Sequence, residues 1–397
     1  MYCREIVLDS LFVVKQIAIL GSTGSIGRNA VAVIDALGPD YQVFALTAHS
    51  NVRLLAEQAR RYRPRFVAVT DSGCAPELGE LLADADVEIL AGPDALTTIA
   101  ELDQVDVVLA AVVGAAGLPA LLAAARKGKR LAIANKEPLV IAGELLTKEI
   151  HKNGGAILPV DSEHSAVFQA MQSGRPEEVK RIILTGSGGP FRGATAEDLQ
   201  EVTLEQALSH PTWDMGPKIT VDSATMMNKA FEIIEARWLF DIPVEKVEVL
   251  IHPESIVHSL VEFVDGSTIA QLGEPDMCLP IQYALTYPAR VAGITRELRL
   301  EETGKLTFAK PDFEMFRALP LAYEVAGTGG TAPVVFNAAN EAAVEEFLAG
   351  RITFVNIVEF IEHCLDKHSI KTEVSLEELL EVDDWARREV TELACSV

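Results

Sequence analysis

Basic residues are scarce. The 397-residue chain has 34 Lys and Arg against 58 Asp and Glu, a formal charge of −24. A nucleic-acid binder needs a basic stripe that neutralises phosphates and releases their counterions, so this balance excludes that class. Long apolar runs are missing as well. Although 49% of the chain is hydrophobic, no run reaches the roughly 18 residues that a membrane-spanning helix needs. Cysteine is sparse and scattered: Cys3, Cys74, Cys278, Cys364 and Cys395 form no C-x-x-C or zinc-like spacing. That excludes a disulfide framework or structural zinc and fits a reducing cytoplasm. Residues 1–14 are interrupted by Glu5 and Asp9 and lack a small-residue cleavage site, so they read as a leading segment and not as a targeting peptide. Repeats and low-complexity tracts are also absent. What remains is a folded, cytoplasmic protein long enough for more than one core.

From Gln16 to about Pro159, short apolar runs alternate with amphipathic stretches. Ile17–Leu20, Val43–Thr47, Phe66–Thr70, Val105–Ala110, Leu131–Ala134 and Ala156–Leu158 read as buried parallel strands, with helices between them that stop at Gly38-Pro39, Pro64 and Gly154-Gly155. This predicts an α/β fold with an N-terminal doubly wound, Rossmann-like domain over 15–160. The rhythm then changes. A strand at Ile182–Thr185, a helix over Ala224–Phe240 and close-set strands at Val247–Ile251, Ile256–Phe263 and Thr268–Leu272 predict a central α+β catalytic domain over 161–300. A linker over 301–320 leads to a C-terminal α-helical domain over 321–397, with helices at Asn337–Leu348, Phe354–Lys367 and Leu376–Ala394 forming a bundle.

The first strand runs into Gly21-Ser22-Thr23-Gly24-Ser25-Ile26-Gly27 and then a helix. Glycines there let the backbone approach a pyrophosphate, and the helix N-terminus offers N–H groups and partial positive charge. NAD enzymes place an acid after the second strand. Here Ala48-His49-Ser50-Asn51 follows, with Arg53 close behind, so the repulsion against a 2′-phosphate is gone and NADP(H) is preferred. Asn135-Lys136-Glu137, before Pro138, suits a helix start at the carboxyl edge of the sheet. Asp161-Ser162-Glu163-His164 follows another strand, and in an extended segment Asp161 and Glu163 would point the same way. Converging carboxylates repel unless a hard cation lies between them, which suits Mg²⁺ or Mn²⁺.

Leu184-Thr185-Gly186-Ser187-Gly188-Gly189 offers a second N–H-rich turn. On the helix after Asp222-Ser223, Asn228, Lys229 and Glu232 share one face. Lys229 and Glu232 are either an ordinary surface ion pair or the meeting of a phosphate pocket with a third metal carboxylate. His210-Pro211-Thr212-Trp213-Asp214-Met215-Gly216 reads as a loop whose Trp213 and Met215 either plug a core or close over a ligand.

The segments GSTGSIG, ANKE, PVDSEH, LTGSGGPF, HPTWDMG, VDSATMMNKAFEIIEARWLF, HPESIVHS, AQLGEPDM and NAANE, in this order from about Lys15 onward, closely resemble the 1-deoxy-D-xylulose 5-phosphate reductoisomerase family. The resemblance implies a cytoplasmic homodimer that uses NADPH and Mg²⁺ or Mn²⁺, with Co²⁺ a further option, on a phosphorylated sugar, isomerising and then reducing it. It implies Thr23, Gly24, Ser25 and Ile26 as pyrophosphate contacts, Ser50 and Asn51 at the ribose end, Asn135 and Glu137 near the nicotinamide, and Gly216 as a further cofactor contact. Asp161, Glu163 and Glu232 match the metal ligands. Lys136, Ser162, Glu163, Ser187, His210, Ser223, Asn228, Lys229 and Glu232 match substrate contacts, and Trp213 with Met215 the mobile flap. Lys136, Glu163 and His210 fall in catalytic positions, and the general base stays open among Glu163, Lys136 and a metal-bound water. The family commonly carries a basic residue where this chain has Ser50. Two other classes share parts of the pattern: an NADP-dependent semialdehyde dehydrogenase without the three acids, and a non-catalytic dinucleotide sensor.

Overall fold

A computed structural model of the chain describes residues 14–210, 213 and 215–396; the rest of the leading segment, Pro211, Thr212 and Asp214 lie outside the described residues. The chain divides into two compact units, Met1–Pro138, Glu144–Ser165 and Asp276–Arg296 in the first, and Leu139–Gly143, Ala166–Pro275 and Glu297–Val397 in the second.

The first unit is built on seven parallel strands: β1 (Lys15–Leu20), β2 (Tyr41–Ala48), β3 (Phe66–Val69), β4 (Glu88–Ala91), β5 (Val107–Ala110), β6 (Arg130–Ile133) and β7 (Ala156–Pro159). Their spatial order is β4-β3-β2-β1-β5-β6-β7. Continuous apolar runs suit this sheet because strands flanked by crossover helices are buried; Ile17 to Leu20 and Val108 to Ala110 are fully enclosed. The expected strands are all present. β4 lies outside the runs read as strands, and the reason is its place at the sheet edge, where Glu88 and Ala91 are exposed and the apolar signal is diluted. Strand order reverses between β1 and β5, so a crevice opens beyond their carboxyl ends, where doubly wound sheets bind ligands. Gly21 begins at that point.

The second unit holds a four-stranded sheet of order β11-β10-β8-β9, from β8 (Val179–Gly186), β9 (Val247–Ile251), β10 (Val257–Phe263) and β11 (Thr268–Leu272). β8 and β9 pair in parallel while β10 pairs antiparallel to both β8 and β11, giving the mixed sheet that close-set strands suggest. The residues after Leu300 are tied to this sheet: Ala309 bridges Ile251, and His252 stacks on Phe308 at 4.6 Å. Helix Ala332–Leu348 packs against both Phe354–Lys367 and Leu376–Ala394. The last of these starts at a capping box, Glu378 N–H donating to Ser375 Oγ (3.2 Å) and Ser375 N–H to Glu378 Oε2 (2.9 Å).

The helix expected over Ala224–Phe240 is present but starts later, at Met227, and a separate helix, Pro217–Ala224, precedes it. Thr225 donates its hydroxyl to Val221 O (3.1 Å) and accepts from Met227 N–H (3.3 Å), while Met226 takes a left-handed conformation at φ +62°. A β-branched hydroxyl that turns back on the chain competes with helical bonds, and no apolar periodicity signals it.

Candidate functional site

In the first unit the turn after β1 is fixed by close packing and hydrogen bonds. Gly21 has φ +87°, and a Cβ on Gly27 would sit 2.3 Å from Gly21 O and 2.5 Å from Ser22 Cα. Helix Ser25–Leu37 begins at Gly24 with no side-chain cap and no acid in its first turn. Gly24 and Ser25 are exposed, so the first-turn N–H groups and positive helix end are left for an anion. Thr47 and Gln58, which sequence reasoning missed, hold the turn from beneath. Gly21 N–H donates to Thr47 Oγ1 (2.9 Å), and buried Ser22 donates to Gln58 Oε1 (2.7 Å) while Gln58 Nε2 donates to Ser22 O (2.9 Å). Nothing local marks a glutamine 36 residues away as part of a glycine turn.

After β2, Ser50 is exposed and Asn51 caps helix Val52–Tyr62 by accepting from Leu54 N–H (3.3 Å). Arg53, also exposed, pairs with Glu77 at 3.3 Å. Asn135 donates to Gly114 O (3.3 Å), while its buried Oδ1 has no partner. Lys136 and Glu137 are buried at the start of helix Glu137–Asn153, and Lys136 forms an ion pair with Asp161.

Asp161 and Glu163 do come together, with ligand oxygens within 4.8 Å, but strand alternation is not the cause. Ser162 and Glu163 stand in the first turn of helix Ser162–Met171, and Asp161 Oδ1 accepts from Glu163 N–H (3.1 Å) and His164 N–H (3.3 Å). The extended geometry is therefore corrected: an N-capping aspartate bends the chain into a helix and brings the first-turn glutamate round beside it. Ser162 Oγ donates to Glu163 Oε2 at 2.6 Å.

The second unit gathers residues from three segments around the end of β8. Ser187 Oγ lies 3.3 Å from His210 Nε2. A Cβ on Gly189, which has φ +66°, would meet Ser223 O at 2.6 Å, and one on Gly186 would meet Lys229 Cε at 2.9 Å. This turn therefore packs directly on Ser223 and Lys229. Glu232 is fully buried; Asn228 Nδ2 donates to its Oε1 (2.8 Å), and Lys229, also buried, is ion-paired with its Oε2. The surface-pair alternative is thus excluded, because a buried pair that loses one partner is strongly destabilised. Asn228 Oδ1 is buried without a partner. An acceptor left so costs about 1–3 kcal/mol, which a hydroxyl donor from a ligand would recover.

His210 Nδ1 accepts from Trp213 N–H at 2.9 Å, which leaves the ring proton on Nε2, facing Ser187. Burial pushes its pKa below the ordinary 6.5, favouring this neutral form. Trp213 and Met215 are half-buried, and Gly216 is exposed at the start of helix Pro217–Ala224.

Fold and site thus define a class: a doubly wound, Rossmann-like sheet carrying a pair of carboxylates, accompanied by a second unit that gathers serine, histidine and lysine side chains at the end of β8. Profiles described as 1-deoxy-D-xylulose 5-phosphate reductoisomerase, its C-terminal domain, and the DXP reductoisomerase C-terminal domain match residues 17–143, 157–240 and 272–389. The 1-deoxy-D-xylulose 5-phosphate reductoisomerase of Trichlorobacter lovleyi is 52% identical over 94% of this chain and 96% of its own, and that of Chlorobium chlorochromatii is 50% identical over 94% and 98%. Among solved structures, the Zymomonas mobilis enzyme in complex with NADPH is 44% identical, with a TM-score of 0.91 over 96% of this chain and 100% of that one. A DOX-P reductoisomerase in complex with NADPH, fosmidomycin and magnesium is 41% identical, with a TM-score of 0.90 over 96% and 98%. The chain belongs to the 1-deoxy-D-xylulose 5-phosphate reductoisomerase family.

Proposed function

We propose that this chain, as a cytoplasmic homodimer, converts 1-deoxy-D-xylulose 5-phosphate to 2-C-methyl-D-erythritol 4-phosphate with NADPH and a divalent cation, Mg²⁺ or Mn²⁺. One observation carries the reading. Asp161 and Glu163 of the first unit bring carboxylate oxygens within 4.8 Å of one another, and the buried Glu232 of the second unit is the third carboxylate of the family pattern. An all-oxygen donor set fits a hard cation and makes zinc or copper a poor match. The uncapped helix at Gly24 fits a pyrophosphate, and the unpartnered Asn135 Oδ1 offers an acceptor to a carboxamide. No acid follows β2, and Ser50 with Asn51 can face a 2′-phosphate without repulsion.

When bound, the cation supplies Lewis-acid stabilisation of negative charge on the substrate's ketone and adjacent hydroxyl oxygens, and NADPH supplies the hydride. The chain's residues do the rest. We assign Glu163, in the first turn of helix Ser162–Met171, to accept the C4 hydroxyl proton. Loss of that proton breaks the C3–C4 bond in retro-aldol fashion, and the two fragments rejoin at a new carbon to give a branched aldehyde that is then reduced. Ser187, His210, Ser223, Asn228 and Lys229 anchor the phosphate fragment between cleavage and rejoining, a proximity effect. Trp213 and Met215 close over the site and exclude water.

The test is to incubate the protein with NADPH, Mg²⁺ and the deoxyxylulose phosphate and follow NADPH absorbance, then repeat with EDTA. Metal-dependent loss of NADPH is expected. NADPH that stays intact with substrate and metal present would overturn the reading.

A further inference from the structure

We infer that Asn340, on helix Ala332–Leu348, is a positioning residue for the phosphate pocket: through Asp222 and Lys218 it holds the helix break that sets Ser223 against Asn228 and Lys229. This rests on the reading of that pocket given above. Ser223 lies at the end of helix Pro217–Ala224, and Asn228 and Lys229 at the start of helix Met227–Phe240. The geometry between them depends on two residues, one of which, Met226, sits at φ +62°. A non-glycine residue there is strained by roughly 1–2 kcal/mol, so the break needs outside support.

That support is a buried polar tie. Asn340 Nδ2 donates to Asp222 Oδ1 at 2.8 Å, and Lys218 Nζ meets Asp222 Oδ2 at 2.9 Å. Asp222 and Asn340 are 2% and 0% exposed. Lys218 also lies over the Phe231 ring, 5.1 Å from its centre, and Phe231 packs edge-on against Phe336 at 5.6 Å. Phe336 and Asn340 are one turn apart, so one face of helix Ala332–Leu348 grips both sides of the break. A buried amide donating to a buried carboxylate is a charge-assisted bond with no water to replace it. Asp222 is the immediate chain neighbour of Ser223.

The variants are Asn340→Leu, which keeps size and removes the donor, and the exchange Asn340→Asp with Asp222→Asn, which swaps amide and carboxylate across the contact. Asn340→Ser, too short to reach Asp222, replaces the leucine variant should that one fail to fold. Expected is a rise of about tenfold in both KM for the phosphorylated ketose and Kd for inorganic phosphate, with kcat within about threefold and NADPH affinity unchanged. The exchange should recover most of the loss. Unchanged KM and phosphate Kd in a folded variant, or kcat and KM deteriorating together with melting temperature and no recovery in the exchange, overturn the inference. Wild-type protein without turnover overturns the reading of the site, and the phosphate titrations then decide this inference by themselves.

Discussion

The two glycine-rich turns, Gly21–Gly27 after β1 and Gly186–Gly189 after β8, look alike in sequence and are built in different ways. The first feeds straight into a helix with an uncapped, acid-free first turn, so main-chain N–H groups face the crevice. The second is followed by no helix for several residues. Its glycines instead admit groups from far along the chain, the Lys229 side chain against Gly186 and the Ser223 main chain against Gly189. A main-chain site recognises a pyrophosphate by shape and tolerates changes in nearby side chains. A side-chain site places point charges and depends on each of them. The contrast also explains how a chain of charge −24 can take two phosphorylated ligands. Both sites are local, and neither needs a basic surface.

The sharpest separation comes from Glu232→Gln. The change keeps size and an acceptor for Asn228, but removes the charge that Lys229 and a bound cation require. We expect kcat/KM to fall by at least about 10²–10³-fold, the range seen when one preorganised electrostatic group is lost, with NADPH affinity unchanged. Near-normal kcat/KM would remove Glu232 from the metal set. A parallel loss of NADPH binding would mean that the two anion sites are not independent.

Next in size is the pair Gly27→Ala and Gly24→Ala. A methyl at residue 27 would have to enter backbone at 2.3–2.5 Å, whereas at residue 24 the nearest atom is 3.5 Å away. Gly27→Ala should weaken NADPH binding by at least about tenfold and lower the melting temperature, since overpacking costs about 1–3 kcal/mol. Gly24→Ala should leave both close to wild type. Equal effects at the two positions would show that the turn's glycines serve flexibility and not close approach.

Much of this was legible in the sequence, and the reasons differ by element. Buried parallel strands announce themselves because both faces are apolar, so β1 to β3 and β5 to β7 could be read directly, whereas edge-exposed β4 could not. Lys229 and Glu232 were legible as a pair because helical spacing fixes their shared face; that they are buried was not, since burial comes from other elements packed over them. Asp161 and Glu163 were correctly paired for the wrong geometric reason, because an N-cap and a strand both bring such neighbours together. Gln58, Asp222 and Asn340 were invisible as supporting groups: each acts across a long stretch of chain, and no local spacing encodes such a contact.

The smallest expected effect concerns the histidine of the side-chain site, which the main-chain site has no counterpart for. His210 donates from Nε2 toward Ser187 and accepts Trp213 N–H at Nδ1, an arrangement that only the neutral ring can make. Burial lowers its folded pKa below 6.5, while the unfolded chain keeps the ordinary value. Above 6.5 both states are neutral and the bonds are intact; as pH falls below 6.5, the unfolded chain takes up a proton first and the folded arrangement loses stability, until the folded ring itself is protonated and gives up the Trp213 bond. His210→Leu removes this titration together with the donor. We expect wild-type kcat/KM to exceed that of the variant by about tenfold at pH 8, roughly the value of one such hydrogen bond to a charged group. The ratio should narrow toward acid pH with a midpoint below 6.5. The substrate phosphate titrates near 6 as well, but it does so equally for both proteins and cancels in the ratio. A ratio constant from pH 8 to pH 5 would mean that His210 contributes shape alone, and a midpoint above 6.5 would mean that an acidic neighbour, not burial, governs the ring.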